Sequence, residues 1–122
     1  MANAILVADD DPDILSIVSM SLEAQGYTVH KAVNGREAVD LAREHHPDLI
    51  LMDMMMPVVS GYEAVGELKA DESTKDIVIL GLSAKAMATD MERATDVGID
   101  GYITKPFRIA HVLSVVEEHL TS

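Results

Sequence analysis

The sequence predicts an α/β fold: a doubly wound, five-stranded parallel sheet of the (βα)5 type, with helices on both faces. Three observations predict it. Apolar runs at residues 4–8, 49–52 and 77–82 have strand length and β-branched content without polar alternation, so they read as strands buried on both faces. Segments of helical length lie between the runs, with capping residues at their ends. Strand and helix alternate five times, and right-handed crossovers fold that order into one parallel sheet.

The first strand, AILVA, is followed by Asp9, Asp10 and Asp11. Asp11 and Pro12 suit an N-cap and first helical position, and Gly26 lies where a helix through residues 14–25 stops. Residues 28–33 are more mixed and suit an edge strand. Asn34 with Glu37, and later Ser60 with Glu63, have capping-box spacing and open the second and third helices. The third strand, 49–52, runs into Asp53, and the fourth, 77–82, into Ser83. Gly98 closes an expected helix over 87–97, residues 99–104 form the fifth strand, and Lys105-Pro106 follow it. The last helix, 108–119, carries Ile109, Val112, Leu113, Val116 and Leu120 at intervals of three and four, the spacing of one buried stripe.

A chain of 122 residues with 48% hydrophobic content is the size of one compact domain, burying roughly 65–70% of its surface on folding. One domain, 1–122, with no output domain is therefore expected. The net charge of −12 argues against direct binding to nucleic acid or an anionic membrane, and favours cations and basic protein surfaces as partners. The absence of cysteine excludes disulfides, thiolate catalysis and Cys-based zinc sites. No segment approaches the ~20 apolar residues of a bilayer span, and no signal-peptide pattern opens the chain, so a cytoplasmic location is the expectation.

In sheets of this kind ligands bind beyond the carboxyl ends of the strands. Asp9, Asp10, Asp53, Ser83 and Lys105 all fall there. Three carboxylates crowded together raise one another's pKa and cost stability unless a cation joins them. An all-oxygen ligand set without Cys or clustered His favours Mg²⁺ or a similar hard ion such as Mn²⁺. Taken singly, each group has an ordinary reading: a solvated turn and helix cap for Asp9–Asp11, a loop for Lys105-Pro106, a surface hydroxyl for Ser83. Their arrival at one rim favours a site.

As a set, Asp9-Asp10, Asp53 in LILMDMMMP, Ser83-Ala84 and Lys105-Pro106-Phe107 resemble the receiver domain of bacterial response regulators, over essentially the whole chain. The resemblance implies a flavodoxin-like three-layer sandwich with strand order 2-1-3-4-5. It also implies that Asp53 accepts a phosphoryl group from a phosphohistidine on a histidine kinase or histidine phosphotransfer protein. Asp10, Asp53 and the Met55 backbone carbonyl would hold the metal, with Asp9 acting through a bound water. Lys105 and Ser83 would contact phosphoryl oxygens, Ser83 and Tyr102 would form the switch, and the helix at 87–97, the fifth strand and the last helix would present the face read by a downstream target protein. A cis Lys105-Pro106 bond and a monomer, or a weak dimer on phosphorylation, fit the same picture. The chain would then be no enzyme beyond catalysing its own phosphorylation and dephosphorylation. Two alternatives stand beside it: a receiver excised from a multidomain regulator or hybrid kinase, and a small Mg²⁺-dependent aspartyl-phosphate phosphatase. The phosphatase reading is weakened by apolar Met55 where a second acid–base aspartate is needed.

Met54 and Met56 read as packing residues and Met55 as an exposed one. His45, His46 and His119 lie near expected helix ends, where a partly cationic ring is favourable, and His30 and His111 show no helper group, so the five read as surface or packing residues rather than phosphohistidine carriers. The resemblance places Met55 and Lys85 beside the path of the water that hydrolyses the acyl phosphate. Met55 offers no strong hydrogen bond to such a water. The phosphorylated form is therefore expected to be long-lived, and Met55→Asn to speed phosphate release severalfold in a phosphate-release assay; an unchanged rate counts against it.

Overall fold

The computed structural model describes residues 3–56, 58–83 and 98–121. Five strands, β1 (Ala4–Ala8), β2 (Thr28–Ala32), β3 (Leu49–Asp53), β4 (Val78–Ser83) and β5 (Gly101–Thr104), form one sheet. The sheet has the order β2-β1-β3-β4-β5, with every neighbouring pair parallel, as expected. Helices α1 (Pro12–Ala24), α2 (Gly35–His45), α3 (Gly61–Ala70) and a C-terminal helix (Ile109–Thr121) flank it. The expected helix at 87–97 lies outside the described residues, as does Lys85.

The strands alternate residues between two apolar layers, the period-two consequence of a pleated backbone. Leu6, Ile50, Met52 and Ile79 enter the layer that also contains Ala38, Val39, Val65 and Leu68 of α2 and α3. Ile5, Val7, Leu49, Leu51, Leu80 and Leu82 enter the opposite layer with Leu15, Val18 and Leu22 of α1 and Val112 and Val116 of the C-terminal helix. All five residues of β3 are buried, because it is the central strand with helices on both faces.

The helix ends follow their capping residues. The Asp11 carboxylate accepts from the Asp13 and Ile14 amides, so α1 opens at Pro12. Gly26, with φ 97, occupies the left-handed region after the helix, where a side chain is disfavoured. Asn34 accepts from the Glu37 amide, and the Glu37 carboxylate accepts from the Val33 amide, one residue ahead of the usual capping-box donor. Ser60 accepts from the Glu63 amide and opens α3.

The fifth strand starts at Gly101, two residues later than its apolar pattern suggests. Asp100 diverts its start: its carboxylate accepts from the Ile79 amide at 2.8 Å, and its own amide donates to the Ile79 carbonyl. On the opposite edge, His30 of β2 stacks on His45 of α2 with ring centroids 4.0 Å apart and planes 12° from parallel. Burial and the neighbouring His45 lower the His30 pKa, partly opposed by Glu44. His30 and His45 thus pack against each other.

One buried polar group is poorly served. Ser19 lies fully buried on the face of α1 that carries Leu15, Val18 and Leu22, and its hydroxyl has no hydrogen-bond partner among the described residues. Ser19→Ala removes that desolvation cost and improves helix propensity. It is expected to stabilise the chain by about 1 kcal/mol in urea unfolding.

Candidate functional site

Strand register assembles the site. β1 and β3 pair with Ala8 opposite Met52, so the next residues, Asp9 and Asp53, stand side by side at the carboxyl edge. β3 and β4 pair with Asp53 opposite Leu82, and β4 and β5 with Ser83 opposite Thr104, which brings Ser83 and Lys105 to the same rim. The Lys105 amide donates to the Ser83 carbonyl at 2.7 Å, and the Lys105-Pro106 bond is cis.

Asp9 is fully buried, Asp53 is almost so, and Asp10 is exposed. The three offer carboxylate oxygens that all lie within 4.8 Å of one another. Lys105 Nζ sits 2.8 Å from Asp9 Oδ2 and 3.2 Å from Asp53 Oδ2. Asp53 Oδ1 accepts from the Met55 amide at 3.0 Å, and Asp9 Oδ1 accepts from the Asp11 amide at 2.9 Å.

The charges explain how these groups titrate. Burial, the largest influence, pushes the Asp53 carboxyl up to about 6; Asp9 pushes the same way, while the Met55 amide and Lys105 hold it back. For Lys105, burial alone would lower the pKa, but the ion pairs with Asp9 and Asp53 outweigh it, and the ammonium is held above its ordinary value. Among the described residues, one ammonium thus contacts two of the three clustered carboxylates.

A hard divalent cation fits this imbalance. Asp9 Oδ2 is buried and, although 2.8 Å from Lys105 Nζ, has no well-directed hydrogen bond among the described residues, so it retains a lone pair for a ligand. The donors are all carboxylate oxygens, the chemistry that Mg²⁺ and Mn²⁺ prefer.

Ser83 is buried at the end of β4. Tyr102 is half-buried on β5 and packs against the layer beneath α2 and α3. Among the methionines, Met54 and Met56 are buried and Met55 is 55% exposed, matching the packing reading. Lys85 falls outside the described residues.

Sequence reasoning missed three features. Gly61 opens α3 against the back of the site: a Cβ there would come within 2.3 Å of the Asp53 carbonyl oxygen and 2.5 Å of Met54 Cα. Gly35 donates to the Val59 carbonyl, and a Cβ on it would meet that oxygen at 2.1 Å. Val58, between these contacts, holds a left-handed backbone with φ 71, at a cost of about 1–2 kcal/mol for an L-residue. A glycine directly after each capping residue was the available signal for the first two. An apolar recess of about 230 Å³, lined by Ile14, Ile17, Pro106, Phe107, Ile109 and the stem of Lys105, adjoins the rim on the α1 side.

The comparisons with known proteins agree with this geometry. The family model for the response regulator receiver domain matches residues 5–117. The polar-differentiation response regulator DivK of Brucella ovis is 38% identical over 120 residues, 98% of each chain. The DNA-binding dual master transcriptional regulator RpaA of Synechocystis is 43% identical over 112 residues, which span 92% of this chain and 46% of that protein. Among solved structures, the receiver domain of the sensor histidine kinase PA1611 of Pseudomonas aeruginosa superposes with a TM-score of 0.92 at 31% identity, over the full length of both chains. That structure has magnesium coordinated in its active-site cleft.

The raised Asp53 pKa carries a stability consequence. Folding favours the neutral carboxyl, so its contribution is complete below the unfolded value of 3.8 and is lost as pH rises through about 6. In metal-free buffer, Asp53→Asn is therefore expected to stabilise the fold at pH 8 by on the order of 2 kcal/mol, with the gain vanishing toward pH 4. Urea unfolding of both proteins at the two pH values measures it.

Proposed function

Because the chain belongs to the response regulator receiver family, we propose that it is a phosphorylation-switched receiver in which Asp53 accepts a phosphoryl group from a phosphohistidine on a histidine kinase or histidine phosphotransfer protein. The observation that carries this reading is the Asp53 carboxylate itself: buried at the rim, held by the Met55 amide, and faced by Lys105, Asp9 and Asp10. Members of this family are generally signalling domains of two-component systems rather than enzymes.

Phosphoryl transfer demands little covalent work from the protein beyond placement and charge neutralisation. A carboxylate oxygen of Asp53 forms the new P–O bond as the P–N bond to the donor ring breaks, and the donor imidazole, already protonated on its other nitrogen, keeps that proton and leaves as neutral histidine. The Met55 amide fixes the orientation of the carboxylate. Lys105 follows the developing charge on the phosphoryl oxygens, and the Ser83 hydroxyl donates to one of them. Asp9, Asp10, Asp53 and the Met55 carbonyl would hold Mg²⁺ or Mn²⁺, which supplies the positive charge that lets a dianionic group approach three carboxylates.

The product carries new acceptor oxygens at the rim. They draw Ser83 inward and bias Tyr102, which changes the face that β5 and the C-terminal helix present to a target protein. The acidic surface directs this to protein partners in the cytoplasm rather than to nucleic acid or lipid, as a monomer or a weak phosphorylation-dependent dimer. Among the described residues no helix is long and apolar enough to cross a membrane. A second reading, in which the same site serves one domain of a longer regulator, is favoured by the match to RpaA, of which the aligned part is 46%.

Incubation with acetyl phosphate and Mg²⁺ is expected to add one phosphoryl group to the wild type by intact mass, and none to Asp53→Asn or to the wild type in excess chelator. Equal uptake by Asp53→Asn overturns the assignment, and continuous turnover of small phosphate esters favours the phosphatase instead. Beryllofluoride with Mg²⁺ is expected to shift backbone NMR signals at 85–94 and 99–107; unchanged shifts with the site occupied rule out the switch.

A further inference from the structure

The run Met52-Asp53-Met54-Met55-Met56 surrounds the phosphoacceptor with thioethers that the proposed function leaves unused. They are not equivalent. Met52 and Met54 are fully buried and Met56 is 7% exposed, whereas Met55 is 55% exposed. Met55 is also the residue whose amide donates to Asp53 Oδ1 at 3.0 Å, and the loop behind it is held by the Gly61 amide on the Met54 carbonyl. The one thioether of this run that water-borne reagents reach therefore belongs to the residue fastened to the acceptor carboxylate.

Exposed thioethers react with peroxides by oxygen-atom transfer. The sulfur lone pair attacks one peroxide oxygen and the O–O bond breaks. The departing oxygen takes up the transferred proton as water, so that sulfur loses two electrons and the peroxide gains them. The product differs in the one property that matters beside an acyl phosphate. A thioether accepts hydrogen bonds weakly, whereas a sulfoxide oxygen is a strong, partly negative acceptor.

We propose that Met55 is an oxidation site through which peroxide-class oxidants shorten the life of the phosphoryl group on Asp53; this rests on the receiver reading above. The backbone bond from Met55 to Asp53 survives oxidation, so the carboxylate stays in place. The new oxygen holds a water at the open side of the site, where attack on phosphorus needs one. Reduction of the sulfoxide by methionine sulfoxide reductase restores the thioether and the longer lifetime.

The test begins with unoxidised protein phosphorylated by acetyl phosphate and Mg²⁺. Wild type and Met55→Leu are then each treated with limiting hydrogen peroxide. Sulfoxide is located by peptide mass mapping, and phosphate release is timed against the untreated form of the same variant. Sulfoxide appearing at Met55 well ahead of Met52, Met54 and Met56, with severalfold faster release in wild type, no such acceleration in Met55→Leu, and reversal by the reductase, is the expected result. Because Met20 is 65% exposed and oxidises in both proteins, the Met55→Leu comparison removes its contribution. Oxidation of Met55 no faster than its buried neighbours, an unchanged lifetime, or equal acceleration in Met55→Leu overturns the proposal while leaving the receiver reading intact. Failure of the unoxidised wild type to take up phosphoryl overturns both.

Discussion

The contact of Lys105 with Asp9 and Asp53 is the interaction on which the rest of the site depends. Its nitrogen lies 2.8 Å from one carboxylate and 3.2 Å from the other, and both carboxylates are buried. Without an ammonium there, two adjacent anions would share a water-poor pocket, and at least one would be forced to protonate. Among the described residues this one positive charge nevertheless leaves a deficit, because Asp10 joins the same cluster. The rim is thus held together and left electrostatically incomplete at once, a state suited to a site that must receive a cation and an anion in concert.

The sheet makes this possible through register. Asp9 and Asp53 become neighbours only because β1 and β3 run parallel and in step to their last pair, Ala8 with Met52. A slip of one residue would turn Asp53 toward the opposite face and carry a charge into the apolar layer of Ala38, Val39, Val65 and Leu68. The apolar residues of β1 and β3 oppose that slip, since each strand feeds two different layers. Core packing therefore sets the chemistry through the pleat rather than by touching the site.

Much of this was legible in the sequence, and for definite reasons. Buried parallel strands announce themselves as unbroken apolar runs, so β1, β3 and β4 were clear, and Asp11, Asn34 and Ser60 cap helices through local hydrogen bonds that short spacing reveals. The convergence of Asp9, Asp53, Ser83 and Lys105 followed from strand order alone. What stayed hidden depends on contacts between distant segments. Asp100 shortens β5 by binding the amide of Ile79, a residue on another strand. The His30–His45 stack joins a strand to a helix, a contact that the spacing within either segment does not reveal. Exposure of Met55 could be anticipated from its position between two packing residues, but its tie to the Asp53 carboxylate required the loop geometry.

The two glycines that grip the acidic loop carry a lesson for anyone wishing to transplant it. Gly61 lets α3 begin against the Asp53 carbonyl, and Gly35 lets a neighbouring connection rest on Val59. The portable unit is consequently not a contiguous peptide. A graft that copied only the segment from Asp53 to Gly61 onto a foreign scaffold would keep the Met55 amide that aims the aspartate but leave Gly35 behind, and the borrowed loop would arrive with its far end at Val59 unfastened.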